Sequence, residues 1–151
     1  MSREFDFKHC LEKRWLMSMP EARYLVKKEL DAAHSDLLEA QASYQRGGYK
    51  WCTIQTYYSM FHAARALLYS RGYREKSHYC LAVAMRHLFV EEGLLEDNLV
   101  DALDDARALR EDADYRTEFS EASARCAVNN AGHFVKQAYL ILANWKEPSD
   151  N

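Results

Sequence analysis

A chain of 151 residues has the size of one compact domain, long enough to bury a core without covalent staples. Hydrophobic residues make up 48% of it, which excludes a disordered chain, and five glycines with two prolines are too few for the turns of an all-β fold, so the class is all-α. A formal charge of -3 excludes a protein that holds nucleic acid by bulk electrostatics.

The N-terminal stretch MSREFDFKHC is charged and lacks the apolar run of a secretion signal. No segment approaches the roughly 18 apolar residues of a membrane span, so the expectation is a soluble, cytoplasmic protein with no membrane association. Residues 1–19 read as an N-terminal arm and 20–146 as one helical bundle. Cys10, Cys52, Cys80 and Cys126 are scattered singly, with no CxxC pair, and are expected as reduced, mostly buried thiols.

Pro20 can occupy a first helical turn, and a helix is expected from there to about Gln45, with Leu25, Leu30, Ala33, Leu37, Ala40 and Tyr44 on one side. Gly47 and Gly48 stop it. A second helix runs from about Tyr49 to Ser70, where Trp51, Ile54, Tyr58, Phe61, Arg65 and Leu68 follow spacings of three and four. That stripe is a bundle seam containing an arginine. After Gly72 a third, shorter helix is capped by Ser77 and extends to about Glu92.

The fourth helix, about Asp97 to Tyr115, places Leu99, Leu103, Ala106, Arg110 and Ala113 on one face, so a second arginine projects from the seam. The fifth, about Ser120 to Trp145, alternates small and larger residues along Ala124, Val128, Ala131, Val135, Ala138 and Leu142, which allows close helix approach. Short connections make antiparallel neighbours. The expected architecture is an up-down bundle of four long helices with a shorter one inserted.

Charge is unevenly spread. Between His62 and His87 lie Arg65, Arg71, Arg74, Lys76 and Arg86 against the single acid Glu75, whereas Glu91 to Glu121 holds twelve acids against Arg107, Arg110 and Arg116. These are either solvated faces that pair with one another or a local basic surface opposite an acidic one. A metal site is not expected: Glu75-Lys-Ser-His78 is the single Glu-x-x-His, and His78-x-Cys80 has no partner pair with zinc spacing. There is no Gly-rich phosphate loop. The stretch YREKSHY, 73–79, serves either as an ordinary basic cap or as an anion contact at a helix start, with Lys76 and His78 as its polar groups.

An uncompensated buried guanidinium costs several kcal/mol, so Arg65 needs a partner. Asp112 and Asp114 are the candidates within REDADYR, 110–116, with Tyr115 as a hydrogen-bonding cap. On that reading REDADYR is a structural ion network. On the other it is a site.

Three stretches carry a family resemblance: YYSMFHAARALLYSRGYREKSHYCL at 57–81, RALREDADYR at 107–116 and SARCAVNNAGHFV at 123–135. Together they resemble the HEPN domain superfamily, the higher eukaryote and prokaryote nucleotide-binding domains, and in particular its small stand-alone prokaryotic members. The resemblance implies a homodimeric helical bundle that is paired with a minimal nucleotidyltransferase in toxin-antitoxin-like modules. Many relatives are metal-independent endoribonucleases whose site is an Arg followed after four to six residues by His. Counted from Arg110, those positions hold Tyr115, Arg116 and Thr117, and the histidine is missing.

Cleavage of RNA through its own 2′-hydroxyl needs a group that exchanges protons near neutral pH, which imidazole at about 6.5 does and a phenol at about 10 does not. The resemblance therefore points to a protein that binds nucleotide or RNA at a cleft around Arg110, with Arg65, Arg107, Lys76 and His78 contributing and with no cofactor. Arg110, Asp114 and Tyr115 are the candidates for any catalytic role, and Tyr115 is also the position that a partner transferase would modify. The alternatives are an active metal-independent endoribonuclease toxin and a non-catalytic helical adaptor.

Overall fold

The computed structural model describes residues 3–149. Its architecture is all-α: α1 Arg3–Glu12, α2 Val26–Gln45, α3 Tyr49–Ser70, α4 His78–Met85, α5 Asp97–Tyr115 and α6 Glu121–Ile141, with two three-residue strands, β1 Leu16–Ser18 and β2 Tyr73–Glu75. The central element is α3, which packs against α2, α5 and α6. Its composition explains why. Ser59, Ala63, Ala64 and Ala66 are fully buried, and residues this small let neighbouring backbones come close; Ser59 Oγ donates to the Ala33 carbonyl of α2 at 2.8 Å. On α6 the buried residues Ala124, Ala131 and Ala138 recur every seven positions beside Phe134 and Val135, the small-residue seam expected from the sequence.

Helix ends follow local chemistry. Ser77 Oγ accepts from Cys80 N–H and Ser120 Oγ from Ser123 N–H, both at 3.1 Å, so each serine satisfies an orphan donor of the helix it opens. Gly72, with φ of 77°, turns the chain out of α3, and its carbonyl accepts from Met19 N–H at 2.6 Å. A side chain at that left-handed position would be strained. Trp145 Nε1 donates to the Ser70 carbonyl at 3.2 Å, fastening the segment after α6 to the end of α3.

Several boundaries differ from the sequence reading. Pro20–Leu25 forms a 3₁₀ segment before α2, and the third helix changes at Arg86 into a π-type turn, Arg86–Val90, with Glu91 N–H bonded to the Arg86 carbonyl. The regular part of the last helix ends at Ile141. The segment expected as an arm holds α1 and β1 and packs on the bundle. β1 pairs antiparallel with β2, Leu16 opposite Glu75, and Phe7 is buried against Tyr73 and His87.

The cysteines correct an expectation. Cys10 and Cys80 are joined in a disulfide, both fully buried, while Cys52 and Cys126 are free. The two bonded residues are 70 positions apart, so nothing in their local spacing announces the pair. Folding α1 onto α4 brings their Cα atoms to 5.9 Å, within bonding range. Trp51 departs in the other direction: expected on the seam with Ile54 and Leu68, which are buried, it is 56% exposed.

Candidate functional site: the groove between α4 and α5

Where α4 begins, it lies beside the middle of α5, and the two bound a groove of about 440 Å³ lined by His78, Tyr79, Asp104, Arg107, Ala108 and Glu111. Two of the sequence-nominated residues, Arg107 and His78, meet in it. Ser77 caps α4 and so fixes the residue that follows. Helical periodicity puts Asp104, Arg107 and Glu111 on one face of α5 at spacings of three and four.

His78 is held on both sides. Its Nε2 is 3.0 Å from Asp104 Oδ1, and its Nδ1 is 3.3 Å from the hydroxyl of Tyr57 on α3. Only 8% of the His78 side chain is exposed. With Asp104 accepting from Nε2–H, Nδ1 is left to accept from the tyrosine, so one tautomer satisfies all three groups. Burial pushes the Asp104 carboxyl up, but the bond from His78 and the charge of Arg86 outweigh it and leave it below its ordinary value. Burial pushes the Tyr57 hydroxyl up despite nearby Arg107 and Arg110, so it stays protonated and can donate.

Arg110 stands one turn beyond Arg107 on α5. Its guanidinium carbon lies 5.3 Å from the ring of Tyr57, 5.8 Å from that of Tyr58 and 5.9 Å from that of Tyr115. Its Nε is buried without a hydrogen-bond partner, and its ion pair with Asp114 is long, 3.7 Å. Aromatic faces hold this cation. Their π-systems attract it without using its N–H donors, which leaves hydrogen-bonding capacity unspent.

The expected pairing of Arg65 with Asp112 or Asp114 does not occur. Arg65 Nε donates to Glu75 Oε1 at 3.1 Å, its Nη1 is 3.9 Å from Glu29, and the rings of Phe61 and Tyr69 flank it at 5.1 and 5.2 Å. Asp112 instead pairs with Arg116. Tyr115 is no buried cap, being 75% exposed. The reason is placement: Arg65 lies two turns further along α3 than Tyr57 and faces β2, whereas the acids of REDADYR lie at the far end of α5. A run of stacked contacts still joins the two arginines, from Arg110 to Tyr57, Phe61 and Arg65. Lys76 is exposed and does not line the groove; its backbone N–H bonds the Trp15 carbonyl at 2.8 Å.

Sequence reasoning missed Asp104 and Tyr79 as groove residues and Tyr57 as the partner of His78. Helical periodicity offered one usable signal, Asp104 three residues before Arg107. Among the described residues no group of three or more His, Cys, Asp or Glu side chains is placed to hold a metal ion, and no helix is long and apolar enough to cross a membrane.

The fold and site define a small all-α bundle domain with a polar groove, lined by Arg107 and His78, between α4 and α5. Residues 26–141 match the model of the HEPN domain, and the chain belongs to that family. It is 27% identical over 123 residues to a chain named "Putative toxin" from Methanocaldococcus jannaschii, covering 81% of this chain and 92% of that one. A second M. jannaschii chain of the same description is 25% identical over 142 residues, 89% of this chain and 97% of that one. A "UPF0332 protein" from Archaeoglobus fulgidus is 33% identical over 102 residues, 66% of this chain and 81% of that one.

Proposed function

We propose that this HEPN protein is the toxin-like component of a module completed by a minimal nucleotidyltransferase, and that it binds nucleotide or RNA phosphate at Arg110 and in the adjoining groove with Arg107 and His78. The observation that supports the reading is the state of Arg110. A guanidinium with a buried, unpartnered Nε is costly to keep unless it serves a ligand, and guanidinium is the side chain best matched to phosphate oxygens. The names of the two M. jannaschii relatives favour the toxin side of such a pair. A homodimer belongs to the reading, since isologous pairing is the commonest assembly of small bundles. Sedimentation at micromolar protein tests that part, and a monomer would remove it.

The central test is binding of a labelled RNA and of free nucleotide, measured by anisotropy across a salt series, for the wild type and Arg110→Ala. The expected result is salt-dependent binding that the variant loses while it still melts cooperatively. Unchanged binding by Arg110→Ala would move the site elsewhere. Co-expression with a nucleotidyltransferase from a neighbouring reading frame tests the module, with a stable complex as the expected result.

One observation favours a second reading, an endoribonuclease. The imidazole missing from the REDADYR segment is supplied to the groove from α4, by His78. Both its ring nitrogens are already engaged, however, by Tyr57 and Asp104. Binding without cleavage is therefore the expected behaviour, and metal-independent cutting of a defined RNA that His78→Asn abolishes would establish the second reading instead.

A further inference from the structure

The N-terminal segment is laid along one continuous stretch of the chain. β1 pairs with β2, the Trp15 carbonyl accepts from Lys76 N–H at 2.8 Å, and Phe7 is buried against Tyr73 and His87. Arg3 donates to Asp97, the carboxylate that also accepts from Arg86. Residues 3–18 are thus a strap over residues 73–90. The strapped stretch carries Glu75, the partner of Arg65, and His78, the imidazole of the groove. Cys10 fastens the strap near its middle through Cys80, which shares the first turn of α4 with His78.

Without that bond the strap is weakly held. α1 has ten residues, fewer than an isolated helix needs to be stable in water, and its buried side chains are Phe7 and Cys10. β1 and β2 have three residues each, and a two-stranded ribbon is marginal by itself. The Arg3–Asp97 pair is exposed and contributes little. The bundle has its own cohesion, in the small-residue seams of α3 and α6 and the apolar residues buried between them. Both bonded cysteines have no exposed surface, a property that a second copy of the chain can only strengthen, so a reagent reaches the sulfurs when the strap lifts.

We propose that Cys10–Cys80 is a redox latch: its reduction by a dithiol of low molecular mass releases residues 3–18 from the bundle and, with them, the fixed position of His78 in the groove. A thiolate of the dithiol attacks one sulfur of the pair, forms a mixed disulfide and expels the other cysteine as thiolate. The second thiol of the reagent then attacks the mixed disulfide, and the reagent leaves as a cyclic disulfide. Two electrons and two protons pass from reagent to protein, and both cysteines end as thiols. The latch concerns the strap and the imidazole, and it holds whether or not the groove takes RNA.

The test begins with a thiol count on protein purified in air. The denatured, unreduced chain should take an alkylating reagent at two cysteines, Cys52 and Cys126, and the reduced chain at all four. Four before reduction would overturn the latch. Amide exchange is then followed by NMR, with and without dithiol, for the wild type and Cys10→Ser. Reduction is expected to speed exchange at Lys76 and across α1 by about 30-fold or more, the lower end of what a disulfide contributes, while α3 and α6 keep their protection. The ring-nitrogen shifts of His78 should move from one fixed tautomer toward the average of two. Cys10→Ser should show the reduced pattern without reagent and no response to it, which assigns the effect to this bond rather than to Cys52 or Cys126. Reduced wild type gives the reading without any substitution, so the folding of the variant is not a condition. Unchanged exchange at Lys76 and in α1 would overturn the latch, as would loss of protection in α3 and α6, since the bond would then hold the whole bundle. Faster exchange in the strap with unchanged His78 shifts would overturn its link to the groove.

Discussion

Arg65 donates its Nε to Glu75 Oε1 at 3.1 Å, tying the middle of the bundle to the short strand that leads into α4. Both partners are largely buried, at 18% and 7% side-chain exposure, so the pair is shielded from solvent and salt. Burial pushes the Glu75 carboxyl up, and Arg65 only partly offsets this, so it remains above its ordinary value.

Removing the arginine should expose that balance. Arg65→Met leaves Glu75 buried with no partner, a loss of about 3 kcal/mol at neutral pH. The folded pKa of Glu75 is raised, so its contribution to stability is greatest below the unfolded value and declines as pH rises through the folded value. In the variant the carboxyl rises further and protonates in mild acid. The gap between wild type and variant should therefore shrink from pH 7 to pH 5 in denaturant titrations; a gap that is constant with pH would mean that the loss is packing alone.

Asp114→Asn tests the REDADYR segment. Had this carboxylate been the partner of a buried arginine, its loss would cost about 3 kcal/mol. It is instead 39% exposed and makes a 3.7 Å contact four residues along the same helix, an arrangement worth less than about 0.5 kcal/mol. Melting should barely change. Affinity for RNA should rise as a competing anion is removed, and a large drop in melting temperature would contradict the geometry.

His78→Phe keeps an aromatic of similar bulk but removes both ring nitrogens. The buried Tyr57 hydroxyl is then stranded, at a cost of about 1–3 kcal/mol, and the double change with Tyr57→Phe should recover part of it. Acid behaviour gives an independent check through Asp104, whose carboxyl lies below its ordinary value of 3.8. A lowered carboxyl stabilises the fold above the unfolded value, and that contribution is lost as pH falls through the folded one. The stability difference between the wild type and Asp104→Asn should accordingly shrink in strong acid, as pH falls through the lowered folded value. A difference that persists there would remove the bond from His78 to the Asp104 carboxylate from the account.

The Cys10–Cys80 bond closes a long loop, 70 residues in separation, for which chain entropy predicts a stabilisation of about 4 kcal/mol. In a domain of this size that corresponds to about 10 °C in melting temperature. Melts with and without a dithiol reductant, and of Cys10→Ser, should show this drop. Identical melts would mean that the packing of α1 alone holds the N-terminal segment in place.

Much of the fold was legible in the chain because the relevant information is local. The spacing of apolar residues gave α2, α3, α5 and α6, though the helix expected from Pro20 becomes regular only at Val26; Ser77 announced one helix start by its capping chemistry, and Gly72 marked a turn that needs a positive φ. Periodicity also singled out Arg65 and Arg110 as cations on a core face. It could not assign their partners, since pairing depends on how one helix is rotated and offset against its neighbours. That placement gave Arg65 to Glu75 of β2 rather than to the acids of α5, and left Arg110 to three aromatic rings. The same long-range geometry joined Cys10 to Cys80 and set His78 between Tyr57 and Asp104, contacts among residues 21 to 70 positions apart. Composition and periodicity thus determined the class and the helices, and three stretches of sequence carried the family likeness; the tertiary structure alone decided which polar groups meet, because that choice is made between helices and not within them.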